Sequence, residues 1–160
     1  MRPFILSAVL ALACSTIIYA HAKMPTAGGS MGSPMPTNVH DPRTIVPLTE
    51  PERILVQERM RQMLTSVEQV TDGVARGDAK AVSEAASRSG TVMMQTLPMQ
   101  IRKKFPPPFV QMAKTTHQLF DQIAHETKSV ESPGPTLKHL AEAIQGCNAC
   151  HAAYRFAPVK

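Results

Sequence analysis

The run Cys147-Asn148-Ala149-Cys150-His151 places two thiols three positions apart, with an imidazole directly after the second. Thiols at that spacing can each add to a vinyl group of one porphyrin, and the adjacent imidazole then falls beneath the central iron. The pattern reads as c-type haem attachment. One such motif implies one covalently held haem c, with Cys147 and Cys150 as thioether donors and His151 as an axial iron ligand. Zinc uses the same residue types, but adjacent Cys150 and His151 on one helix point too far apart to share a tetrahedral ion easily. A thioredoxin-like redox pair needs a strand feeding the helix that starts at its Cys-x-x-Cys. Here the pair comes at the end of a helix instead.

The elements that must carry these residues are helical, and Gly or Pro separates four of them. The first runs from about Pro51 to Thr71, entered through Thr49-Glu50-Pro51-Glu52, where a Thr N-cap and an early Pro suit a helix start. Its apolar stripe, Val56, Met60, Met63, Val67, Val70 and Val74, alternates spacings of four and three, as the seam of a bundle does. The second follows the Gly77-Asp78 break, contains Ala81, Val82, Ala85, Ala86, Val92, Met93 and Leu97, and ends near Pro98. Its small residues permit close approach by a neighbouring helix or a cofactor. The third follows Pro106-Pro107-Pro108 and repeats Phe109, Met112, Thr116, Phe120, Ile123 and Thr127 to about Val130, before Ser132-Pro133-Gly134-Pro135 ends it.

The fourth segment starts at Thr136 and carries Leu140, Ile144, Cys147, His151 and Tyr154 on one stripe. Cys147 and His151, four apart, share a face, so both sulfurs and the imidazole can address one planar ligand. No segment shows sustained strand alternation. The expected fold class is therefore all-α, four helices each about 30 Å long around a single core, with the haem motif on the C-terminal helix.

The N-terminus accounts for the compartment such chemistry needs. Arg2 is a positive n-region, Phe4 to Ala13 is nearly all apolar, and Ala20-His21-Ala22 is a small-x-small cleavage signal, so residues 1–22 read as a signal peptide and the protein as periplasmic. The apolar stretch is shorter than the roughly 20 residues of a membrane span, so no stable span is expected after cleavage. Removal of residues 1–22 leaves two cysteines, both in the motif, which excludes a disulfide framework. Residues 23–48, rich in Pro, Gly, Ser, Thr and Met, read as a flexible leader. Met24, Met31, Met35 and His40 are soft or imidazole donors in that leader, but without a fixed frame they make no copper site. Residues 49–160 then form the haem-binding domain. The formal charge of +5 is spread along a chain with few aromatics and no groove-binding motif, so nucleic acid is not an expected partner.

With an exported helical bundle, Cys147, Cys150 and His151 on its last helix, and Tyr154-Arg155 after them, the chain resembles the cytochrome c′ family over about residues 50 to 157. The resemblance implies an up-down-up-down arrangement. It also implies that the first helix supplies the residue over the distal face of the iron, within an Arg-x-x-x-Met pattern. Arg59-Met60-Arg61-Gln62-Met63 matches, with Met63 as candidate distal ligand. Met60 lies on the same stripe, and His117, at the flank of the third stripe beside Thr116 and Phe120, is a further alternative. Arg59 and Arg155 are candidate propionate contacts because the guanidinium fork suits carboxylates, Arg155 being placed one helical turn past His151. His125 and His139 lie away from their stripes and are expected to be solvated.

Met ligation implies a six-coordinate, one-electron carrier exchanging electrons with a redox partner protein. An open distal face implies instead a sensor or scavenger of nitric oxide or carbon monoxide. Neither is an enzyme, and no acid–base pair accompanies the motif. Members of the family often pair through their first two helices, so a homodimer is a further expectation.

Overall fold

The computed structural model describes residues 40–126 and 133–158, and these are mainly helical. The expected signal peptide, residues 23–39 of the leader, and the extension of the third helix to Val130 lie outside the described residues. Strand β1, Thr44–Leu48, leads into helix α1, Glu50–Arg76. The start of α1 is set by Thr49, whose N–H donates to Glu52 Oε2 at 2.8 Å, with Pro51 in the first turn where its missing N–H costs nothing. Lys104 Nζ reaches the same Glu52 oxygen at 2.6 Å and holds that carboxyl below its ordinary range. Gly77, left-handed at φ 67°, ends α1 after 27 residues, about 40 Å of helix.

Helices α2 (Ala79–Ser87) and α3 (Thr91–Gln95) replace the continuous second helix expected to end near Pro98, and a further short helix, α4 (Met99–Arg102), follows it. The break at residues 88–90 is stabilised by side chains of α5, Pro107–His125. His117 Nδ1 donates to the Ser89 carbonyl at 2.7 Å, and the Asp121 carboxylate accepts the Thr91 N–H at 3.1 Å. Ser89 Oγ donates to Ser66 Oγ of α1 at 2.8 Å, both buried. Peptide groups that an unbroken helix would satisfy internally thus find partners on neighbouring elements.

Helix α6, Gly134–Ala153, is followed by strand β2, Tyr154–Pro158. Strands β1 and β2 pair in parallel, Thr44 opposite Tyr154 and Leu48 opposite Pro158. This small sheet overturns three expectations. Residues 44–48 belong to ordered structure rather than to the leader, strand is present, and Tyr154 and Arg155 do not continue the helical stripe. Alternation supplies the reason: Val46 and Leu48 are fully buried while Thr44, Ile45 and Pro47 face outward.

Helix α2 packs on both α1 and α5, and α5 packs on α6. Two apolar clusters result. One joins Val70, Val82, Phe120, Ile123, Leu140 and Ala143, and the other joins Val46, Leu48, Val56, Ile101 and Phe109. Phe109 stacks on Phe105 at 4.5 Å and meets the edge of Tyr154 at 5.2 Å, so the few aromatic rings concentrate where α6 gives way to β2. Ile123 is wholly buried in the first cluster. Ile123→Ala is expected to cost about 2–5 kcal/mol of stability, read from urea unfolding midpoints at constant slope. Among the described residues no helix is long and apolar enough to cross a membrane.

Candidate functional site

A cleft of about 680 Å³ opens beside the two clusters and is lined by members of both, Val56 and Phe109 from one and Phe120 from the other. Its size lies within the range of cofactor pockets. Cys147, Cys150 and His151 all line it from α6, and Met60 and Met63 line it from α1. The helical spacing predicted for the motif is therefore realised, with its three chemical groups addressing one space. Gly146 allows α5 to come close at that level, since a Cβ there would lie 2.5 Å from Thr116 Oγ1.

The two cysteines are free thiols, each partly buried. Burial raises the pKa of both, and the neighbouring Cys147 adds to the rise at Cys150, so the neutral thiol is the resting form. His151 is exposed and sits at the rim, its carbonyl accepting from Arg43 Nη1 at 3.4 Å. Among the described residues no three His, Cys, Asp or Glu side chains converge as a metal-ion ligand set.

Met60 and Met63 are both half-buried but pack differently. Met60 lies against the cluster that Cys150 and Tyr154 also touch, whereas Met63 and Val67 lie against the cluster of Phe120 and Ala143. Both thioethers are therefore available along one wall.

His117, expected beside the Phe109–Phe120 stripe as a hydrogen-bonding His near the bundle interior, is buried at 8% exposure, bonded to Ser89, and lines the cleft. The Ser89 carbonyl can only accept, so Nδ1 carries the ring proton and Nε2 the lone pair. Burial, the largest influence, lowers its pKa below 6.5, against the smaller opposing pull of Ser89 and Asp121. A histidine held neutral stabilises the fold above the unfolded pKa and loses that contribution as pH falls through the lower folded value. Unfolding measured between pH 7 and 5 should show stability declining below 6.5 by at most about 1.4 kcal/mol per pH unit, and His117→Asn should remove that slope.

The arginines do not divide as the sequence suggested. Arg59 lines the cleft, its Nη1 bound to Gln62 Oε1 at 3.1 Å, while its Nε is buried with no hydrogen-bond partner. Arg155, placed on β2 rather than on a further helical turn, has its Nε 3.3 Å from Asp41 Oδ2 and does not line the cleft. Asp41 is also bound by Arg43 at 2.7 Å, and Arg43 holds its carboxyl far below the usual range. Arg102, at the end of α4, does line the cleft, and its Nε, like those of Arg59 and Arg155, is buried without a hydrogen-bond partner. No pattern in the sequence marks it, because α4 is four residues long between Pro98 and Pro106 and shows no period. Elsewhere His125 is exposed as expected, but His139 is not solvated: its Nδ1 lies 3.0 Å from Glu126 Oε1.

A porphyrin with two vinyl and two carboxylate substituents suits this lining. Thiols from α6 and thioethers from α1 line the same mainly apolar space, with Arg59, Arg61 and Arg102 among its lining. In comparisons with known proteins, the chain matches no protein-family model, no curated protein and no solved structure.

Proposed function

We propose that the protein is an exported, periplasmic cytochrome carrying one covalent haem c, and that it acts as a one-electron carrier rather than as an enzyme. The observation that carries this reading is the meeting of Cys147, Cys150 and His151 with Met60 and Met63 across one apolar cleft. In this reading α1, α2, α5 and α6 are the helices of an up-down-up-down four-helix bundle resembling cytochrome c′, and α3 and α4 belong to the connection between the second and third of them.

The haem supplies, when bound, an iron that cycles between the ferric and ferrous states. Cys147 and Cys150 would hold the group through thioethers, each formed by addition of S–H across a vinyl double bond and so needing no oxidant or reductant. His151 would hold its iron through an imidazole nitrogen and Met63 through a soft thioether, which would favour the ferrous state and leave no position for small exogenous ligands. Val56, Phe109 and Phe120 exclude water from the cleft and so lower the local dielectric.

Absorption spectra of the protein matured in a periplasm test the reading. A sharp, low-spin ferrous spectrum that carbon monoxide does not alter is expected. An immediate shift with carbon monoxide would replace the carrier by the five-coordinate, gas-binding alternative, and absence of haem would remove both.

A further inference from the structure

We propose that the mouth of the cleft is the docking face for an acidic redox protein that exchanges one electron with the iron; this rests on the carrier reading above. The lining of the cleft includes Arg59, Arg61 and Arg102 and no Asp or Glu. Leu64, Val110 and Ile144 line it as well and are exposed, so α1, α5 and α6 each bring an aliphatic side chain to the opening. Exposed apolar groups inside a polar surround are the composition of a protein contact.

Charge is divided unevenly between the parts of the chain that build the two apolar clusters. Residues 65–86, 119–126 and 133–143 contain the whole cluster around Phe120, and they hold seven Asp or Glu against three Lys or Arg. The other described residues, which contain the cluster around Phe109, hold four against ten. Those four acids are all engaged, Asp41 with Arg43, Glu50 with Arg53, Glu52 with Lys104 and Glu58 with Arg61. Arg102, Lys103 and Lys114 have no ion-pair partner among the described residues, and both lysines are exposed. Lys114 stands one helical turn from Val110 on α5, and Lys103 follows Arg102, so these cations adjoin the cleft. Two carboxylates on a bound porphyrin would offset two of the charges and leave the face positive. An acidic surface complements such a face and is steered to it, with a rate that falls as salt screens the attraction. A second copy of this chain would set like charge against like. A lipid surface takes up the stripe of a single amphipathic helix, whereas these aliphatic groups come from three helices around an opening.

Reduction of the ferric holoprotein by an acidic plant-type ferredoxin, which loses the electron that the iron gains, is followed at the Soret band by stopped flow. The second-order rate constant is expected to fall at least about tenfold between about 10 mM and about 300 mM salt. Lys103→Glu with Lys114→Glu should lower the low-salt constant by about tenfold and leave the absorption spectrum unchanged. Lys80→Glu with Lys138→Glu makes the same change in net charge among the acidic segments, and should alter the constant less than about twofold. Leu64→Gln should lower the constant at high salt, where steering is screened, and keep its salt dependence. A constant indifferent to salt, or lowered equally by the two lysine pairs, overturns the docking face. Binding to phosphatidylglycerol vesicles that Lys103→Glu with Lys114→Glu abolishes, with ferredoxin reduction unaffected, would assign the face to lipid and overturn it as well. A dimer in sedimentation that Leu64→Gln dissociates would assign it to a second copy, with the same consequence. Wild-type protein without covalent haem gives no Soret signal and defeats the carrier reading instead, so the two failures are distinguishable.

Discussion

Protein carrying Cys147→Ala and Cys150→Ala is expected to release all of its haem into acid–acetone, whereas the wild type retains it in the protein fraction. The expectation follows from the number and position of the thiols. Among residues 23–160 these two are the only cysteines, both are free, and both line the cleft. No other side chain there can form a thioether to a vinyl group. Each single variant keeps one anchor, so its haem should remain covalent with a pyridine haemochrome band between those of the double variant and the wild type. The fold should outlast the loss, because α6 is held through Leu140 and Ala143 in the cluster with Phe120 rather than through the sulfurs. Haem that stays bound through extraction of the double variant would place the attachment elsewhere and sink the assignment.

The second large effect is expected on α1. Met63→Ala should convert the ferrous iron from low to high spin and take carbon monoxide binding from none to one per haem, while Met60→Ala should leave both unchanged. Loss of a thioether removes one of two axial donors, and an alanine methyl cannot replace it. Packing gives the comparison its force: the two methionines lie against different apolar clusters, so each probes a different level of the same wall. If Met60→Ala alone opens the iron, the ligand is one turn nearer the start of α1. If neither variant does so but His117→Ala does, the distal donor is the imidazole whose Nδ1–H is already anchored on Ser89, an arrangement that metal-bound histidines share. A wild type that binds carbon monoxide at once has no sixth protein ligand, and the gas-binding alternative stands.

Several features of the site were legible before the structure because they are short-range. The spacing of Cys147, Cys150 and His151 fits one face of any helix, and the stripe from Val56 to Val74 identifies the wall that faces the interior of the fold. The break in the second helix was not legible. Its sequence, with Ser87, Ser89 and Gly90, tolerates either outcome, and the decision rests with His117 and Asp121 arriving from α5.

By itself, then, the sequence determined the mainly helical character of residues 50–125 and 134–153, the placement of the motif's thiols and imidazole on one helix, and the methionines of the first stripe that line the cleft. Those properties depend on residues within one or two helical turns of each other. The tertiary structure decided which arginines line the cleft, that the partner of His117 is the Ser89 carbonyl, and that the chain leaves α6 as a strand. Arg155 shows why. Its helical period pointed it along the stripe of His151, but pairing with β1 turned Tyr154–Pro158 into an extended strand and set its guanidinium beside Asp41. Arg43, 108 positions before His151, closes the same corner onto the His151 carbonyl. Contacts between segments so far apart have no local pattern, because they exist only after the helices have packed and brought the two ends of the domain together.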